Sequence, residues 1–138
     1  MTTKKDTGSG KPRREKLGVK PAQTVALAGA FDASVRADLK ALGARVVDDP
    51  AAADWVLLAC ADATWAPRLL ELASAIKDEA AIWAVWTKGD RALNENHVRN
   101  EALSCGLVDV KVMSWDATHS ALKLVRRAAN RAAKAKRR

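Results

Sequence analysis

The chain has 138 residues, 49% of them hydrophobic, and a formal net charge of +8. This length supports one domain with a buried core, and no apolar run approaches the roughly 18 residues that span a bilayer, which argues against membrane insertion. The two cysteines, Cys60 and Cys105, are far apart and lack a paired motif, so we expect neither a disulfide framework nor a metal site. We also expect the protein to be cytoplasmic.

The positive charge is concentrated at the two ends of the chain. Residues 1–20 contain 7 Lys or Arg and 2 acidic residues, and residues 123–138 contain 8 Lys or Arg and no acidic residue. Between them, residues 21–122 contain 9 Lys or Arg and 14 acidic residues. We therefore expect a disordered basic tail over 1–16, a mildly acidic domain over 17–127 and a second basic tail over 128–138.

The first half of the domain alternates between strands and helices. Residues 24–28 form an apolar run that predicts the first strand, and Asp32 and Gly43 mark the start and end of the helix that follows. Residues 44–47 and 55–60 predict the second and third strands.

The second half ends differently. Residues 65–76 carry a helical apolar stripe, 80–87 an almost unbroken apolar strand, and 94–105 a further helix. Residues 108–112 and 121–127 then alternate between apolar and polar with no helix between them, which predicts an antiparallel closing pair. The sequence thus predicts a Rossmann-like, mostly parallel α/β sheet flanked by helices, with strand order 2-1-3-4-6-5 and only the last strand antiparallel.

This succession resembles the fold of class I S-adenosylmethionine-dependent methyltransferases, shortened by one crossover helix. A closer resemblance, to a family of small bacterial proteins catalogued as a domain of unknown function, rests on residues 16–21, 83–88, 106–112 and 122–126. That family often has Trp-Pro-Lys after the fourth strand and Trp shortly after the fifth, where this chain has Thr87 and His119. The resemblance implies a fold and no assigned reaction.

The carboxyl ends of the parallel strands are the expected ligand-binding edge. A cofactor site needs several glycines after the first strand, and this chain has only Gly29 before bulky Phe31, so we predict no methyl transfer. Asp48, 19 residues after Gly29, could accept hydrogen bonds from ribose hydroxyls, or could belong to an ordinary Asp-Pro turn. The candidate ligand-binding residues are Gly29, Phe31, Asp32, Asp48, Asp62 and Lys88.

Catalytic chemistry has little support in the sequence. His97 and His119 lack a surrounding motif, so we assign no catalytic residue, metal or cofactor. The five tryptophans are predicted to pack in the core, with only Trp115 a candidate for a surface role.

The sequence favours a non-catalytic binding or interaction module whose tails associate non-specifically with nucleic acid through phosphate contacts. The alternative is a methyltransferase-like or other nucleotide-using enzyme with a degenerate glycine loop, and the tails could also serve only solubility. The tail residues assigned to nucleic-acid binding are Lys11, Arg13, Arg14, Arg131, Lys134, Lys136, Arg137 and Arg138.

Overall fold

The computed structural model describes residues 11–127. Over this range the chain forms six strands, four α-helices and one 3-10 turn. The strands are β1 Thr24–Ala28, β2 Arg45–Val47, β3 Trp55–Ala59, β4 Ala81–Thr87, β5 Leu107–Ser114 and β6 His119–Arg126. The helices are α1 Arg13–Leu17, α2 Ala33–Ala41, α3 Trp65–Ala75 and α4 Glu95–Ser104, and the 3-10 turn is Pro50–Ala52.

The strands form one sheet in the order β2-β1-β3-β4-β6-β5. β1 pairs in parallel with β2 and β3, β3 pairs in parallel with β4, and β6 is antiparallel to both β4 and β5. The predicted order and the antiparallel ending are confirmed. Because β2 and β3 lie on opposite sides of β1, the chain reverses its direction of winding there, which opens a crevice at the carboxyl ends of β1 and β3.

Each face of the sheet has its own buried core. Trp86 packs in the core that contains Leu69 of α3 and Val98 of α4. Trp83, three residues earlier on β4, packs on the other face, and its indole Nε1 donates to the backbone oxygen of Leu17 at 3.0 Å. These two tryptophans lie on opposite faces because side chains alternate along a strand with a period of two residues.

The amino-terminal segment differs from its prediction as a disordered tail up to residue 16. Residues 13–17 form α1, in which Lys16 and Leu17 are buried, and Gly18 ends the helix with a φ of 83°. The side chain of Arg13 donates from Nε to Asp38 Oδ2 on α2 at 2.8 Å. The domain therefore begins before residue 17, because Leu17 covers the sheet and Arg13 has an acidic partner.

This boundary changes the distribution of charge. Residues 11–127 contain 17 Lys or Arg and 15 Asp or Glu, so the domain is close to neutral where we expected an acidic one. Five of the predicted tail residues, all from Arg131 onwards, lie outside the described residues. Within the described part of the chain, no helix has the length and apolarity needed to cross a membrane.

Candidate ligand-binding site at the carboxyl edge of the sheet

Two cavities lie at the carboxyl edge of the sheet, and Cys60 and Ala61, directly after β3, line both of them. The smaller cavity has a volume of about 120 Å³, and the larger about 340 Å³. The smaller is bounded by the start of α2 and by the loop between β5 and β6, and its lining includes Phe31, Asp32, Thr87, Trp115, Asp116 and His119. The larger is lined by the start of α3 and by the loops that precede α3 and α4, and its lining includes Asp62, Trp65, Asp90 and Leu93.

Aromatic side chains form one wall of the smaller cavity. The rings of Phe31 and Trp115 have centroids 6.1 Å apart and are tilted by 50°. The guanidinium of Arg13 lies 5.1 Å from the Trp115 ring centroid, so a cation–π contact from α1 stabilises the position of this ring. Trp115 is only 4% exposed, which corrects the expectation of a surface role.

A histidine and a carboxylate form the polar side of this cavity. His119 Nδ1 lies 3.1 Å from Asp116 Oδ1 and 2.8 Å from Thr118 Oγ1. Burial acts to raise the pKa of Asp116, but hydrogen bonds from Thr118 and His119 lower it overall. An ionised carboxylate only accepts hydrogen bonds, so this contact places a proton on His119 Nδ1 and, in the neutral ring, leaves Nε2 as an acceptor.

The larger cavity combines an indole ring with two carboxylates. Asp62 Oδ1 accepts from the backbone nitrogen of Thr64 at 2.9 Å, and Asp90 Oδ1 accepts from that of Ala92 at 2.9 Å. The second oxygen of each carboxylate has no hydrogen-bond partner among residues 11–127. Hydrogen bonds from the Thr64 side chain and backbone lower the pKa of Asp62, so that group is an anion. Trp65 is half-buried against the core, leaving part of its ring to the cavity.

Gly29 has a structural role that the sequence did not indicate. Its φ is +104°, and a Cβ at this position would lie 2.8 Å from the Cβ of Ala59 on the neighbouring strand. The glycine is therefore required by the close approach of β1 and β3, and it lines neither cavity. The turn after β1 does not provide the multi-glycine cradle that brings a backbone against a pyrophosphate.

The remaining predicted residues are divided between the two cavities and their surroundings. Phe31 and Asp32 line the smaller cavity and Asp62 the larger, whereas Asp48 and Lys88 line neither.

Asp32 also caps α2, since its Oδ1 accepts from the backbone nitrogen of Ser34 at 3.0 Å, and hydrogen bonds from Ser34 and Val35 lower its pKa. Asp48 is exposed at the end of β2.

Lys88 fastens the loop between β5 and β6 to the end of β4. Its Nζ donates to Ser114 Oγ at 2.8 Å, and its backbone nitrogen donates to Thr118 O at 2.9 Å. This loop supplies Trp115 and Asp116, and His119 follows as the first residue of β6. The sequence did not group these three residues into a site. The spacing of three residues between Asp116 and His119 was the available signal. It does not indicate a site by itself, because the position of His119 at the cavity depends on its pairing with Thr87 in the sheet.

The cysteine Cys60 and the second histidine, His97, have structural roles. Burial raises the pKa of Cys60 to about 12, so its thiol is neutral and forms an apolar part of the cavity wall. His97 Nδ1 accepts from the backbone nitrogen of Asn94 at 3.1 Å in a capping box at the start of α4. Among residues 11–127, no group of three or more His, Cys, Asp or Glu is placed to hold a metal ion.

No family model matches this chain, and no curated protein matches it. It does resemble solved structures. An O-methyltransferase from neocarzinostatin biosynthesis, in complex with S-adenosyl-L-homocysteine, is 14% identical, with 75% of this chain and 49% of that chain covered and a TM-score of 0.57. A TehB-like SAM-dependent methyltransferase from Corynebacterium glutamicum is 13% identical over 88% of this chain and 92% of that one, with a TM-score of 0.54.

The chain has a Rossmann-like methyltransferase fold. Mitomycin 7-O-methyltransferase is a further similar structure, 12% identical, with 83% of this chain and 52% of that chain covered and a TM-score of 0.59. This chain thus spans about half the length of the two O-methyltransferases. At these identities the likeness establishes the fold alone, and the resemblance to the bacterial family of unknown function stays a prediction.

Proposed function

We propose that this protein is a methyltransferase-like enzyme that uses a nucleoside-containing ligand and holds it in the larger cavity. The observation that carries the proposal is the grouping of Trp65, Asp62 and Asp90 around about 340 Å³ at the carboxyl edge of the sheet. Small-molecule sites typically occupy about 300–1,000 Å³ and combine apolar walls with a few polar groups. The methyltransferase fold supports the same reading over a non-catalytic module.

The residues of the larger cavity suit the parts of a nucleoside. The partly accessible indole of Trp65 offers a face on which a base can stack, and buried Leu93 provides an apolar floor. The free oxygens of Asp62 and Asp90 can accept hydrogen bonds from ribose hydroxyls. This arrangement assigns the ribose to the end of β3 and the loop after β4, where the sequence had pointed to Asp48.

Charge indicates which nucleoside ligand fits. The lining of the larger cavity contains two carboxylates and, among residues 11–127, no Lys or Arg, so it disfavours phosphates. S-Adenosylmethionine carries a sulfonium cation in place of phosphates and, when bound, supplies an electrophilic methyl group. We therefore expect it to be preferred over ATP and NAD. The expectation of no methyl transfer rested on Phe31 and on the missing glycines after β1, and Phe31 lines the other cavity.

Isothermal titration of S-adenosylmethionine, S-adenosylhomocysteine, ATP and NAD into the full chain tests this proposal. We expect heat from the two adenosyl thio compounds and none from ATP or NAD. Asp62→Asn and Asp90→Asn should each weaken S-adenosylmethionine binding about tenfold or more, because each removes a charged acceptor. Asp48→Asn is the matched control at the same edge and should leave the affinity unchanged. Equal binding of ATP, or unchanged affinity in both cavity variants, would contradict the proposal.

A second function rests on the charge outside the described residues. Residues 128–138 contain five Lys or Arg and no acid, whereas residues 1–10 contain two Lys and one Asp. We propose that the carboxyl-terminal segment supplies salt-sensitive, sequence-independent affinity for nucleic acid. Arg13, assigned to this role from sequence, is instead engaged with Asp38.

Fluorescence anisotropy with labelled single-stranded DNA at low salt measures this affinity. Deletion of residues 128–138 should remove most of it, while deletion of residues 1–10 should change it little, because the two segments differ in positive charge. The affinity should also fall steeply as salt rises. If the protein lacking residues 128–138 binds as well as the full chain, the carboxyl-terminal segment is not the binding element.

A further inference from the structure

The smaller cavity has the size of a single ring. Its volume is about 120 Å³, and an apolar cavity of about 150 Å³ in another protein is known to accept benzene. The smaller cavity is also open to solvent at the carboxyl edge, so a ring can enter it with a substituent pointing outward. A nucleoside is too large for it, which separates its occupant from that of the larger cavity.

The walls favour an aromatic ring over an aliphatic one. Phe31 and Trp115 present two tilted rings, and aromatic groups gain from stacked and edge-to-face contacts at such distances. Val35 and the neutral thiol of Cys60 add apolar surface. The position of Trp115 is fixed from outside by Arg13, which also ties α1 to Asp38.

The polar side carries an acceptor whose orientation is fixed. His119 uses Nδ1 for Asp116 and Thr118, and its Nε2 has no hydrogen-bond partner among residues 11–127. Asp116 is itself held by Thr118 and lies 3.9 Å from Arg13 Nη1. A ring nitrogen oriented in this way is suited to accept a hydrogen bond from a hydroxyl group.

The charges of the lining disfavour acidic occupants, with Arg13 outside the lining partly compensating Asp116. Asp32 and Asp116 both line the cavity, and Lys and Arg side chains are absent from its lining among residues 11–127. A carboxylate or phosphate on the ring would be repelled by these two acids. A neutral ligand with one hydroxyl is not repelled by them.

We propose that the smaller cavity is a binding site for a monocyclic phenol, with its ring packed against the wall formed by Phe31 and Trp115 and its hydroxyl donating to His119 Nε2. The proposal goes beyond the proposed function, because it concerns the other cavity and requires no nucleoside. Asp116 is the positioning residue that holds the tautomer of His119.

Titrations followed by ¹H–¹⁵N NMR, with phenol, toluene and benzoate as probes, test this proposal on the full chain. Phenol should shift the signals of Trp115 and His119 and bind about threefold to tenfold more tightly than toluene, the value of one neutral hydrogen bond. Benzoate should not bind. His119→Asn keeps a donor near Asp116 but lacks the distal acceptor, and it should bind phenol no better than toluene.

His97→Gln is the matched control, because Gln serves in capping boxes and His97 lies outside the cavity. It should keep the preference for phenol over toluene. Equal affinities for phenol and toluene in the unmodified protein, a preference that survives His119→Asn, or shifts outside the cavity would each overturn the proposal. These outcomes are separate from S-adenosylmethionine binding, which neither variant should alter.

Discussion

Replacing Trp83 with alanine is expected to lower the free energy of unfolding by about 3–5 kcal/mol. Trp83 is 0% exposed at the centre of β4, and its indole nitrogen donates to Leu17 O at 3.0 Å. Truncation would leave a cavity in the core and an unpaired carbonyl at the end of α1. Urea denaturation followed by circular dichroism measures the loss.

Trp83→Phe separates the two contributions. It keeps an aromatic ring in the core but removes the donor, so it should cost less than Trp83→Ala. If Trp83→Phe and Trp83→Ala were equally destabilising, the bond to Leu17 would dominate over core packing. A loss of less than about 1 kcal/mol for alanine would contradict the burial of this side chain.

Deletion of residues 1–16 is expected to cost about 2–4 kcal/mol, whereas deletion of residues 1–10 should be nearly neutral. The longer deletion removes the charge-assisted bond from Arg13 to Asp38 at 2.8 Å and the stacking of Arg13 on Trp115. It also removes four of the five residues of α1, so that Leu17 loses the helix that holds it against the sheet. Thermal unfolding of the two truncated proteins provides the comparison.

A point variant isolates the role of Arg13. Arg13→Gln should account for a large part of the loss, because the side chain is largely buried and its partner Asp38 would remain without a cation. Arg14→Gln is the control on the same helix, since Arg14 is exposed. Equal melting temperatures for Arg13→Gln and Arg14→Gln would mean that α1 does not anchor the domain.

The fold could be predicted because its signals are local and repeated. Apolar runs such as 80–87 identify buried strands, and Asp32 and Gly43 delimit a helix. The closing antiparallel pair followed from the lack of a helix between 112 and 121. The helix α1 was missed because five residues, Arg13–Leu17, are too short for a helical period, and its stability comes from tertiary contacts.

The site was only partly predictable. The carboxyl-edge rule located Phe31, Asp32 and Asp62, because each lies in the segment just after a strand ends. It could not indicate that His119 belongs beside Thr87, since that depends on the register of β6 against β4. Gly29 was expected to line a ligand site because glycine lets a backbone approach a ligand closely. In the structure the glycine is instead required by the close approach of β1 and β3.

Isotope-edited NMR with S-adenosyl-L-homocysteine is the most direct test of the central claim, that the larger cavity holds a nucleoside ligand. We expect saturable shifts of the Trp65 indole and of the backbone amides at Asp62 and Asp90, with little change at His119. Those shifts should be lost together in Asp62→Asn/Asp90→Asn. An absence of saturable shifts, or shifts confined to residues outside the carboxyl edge, would contradict the claim.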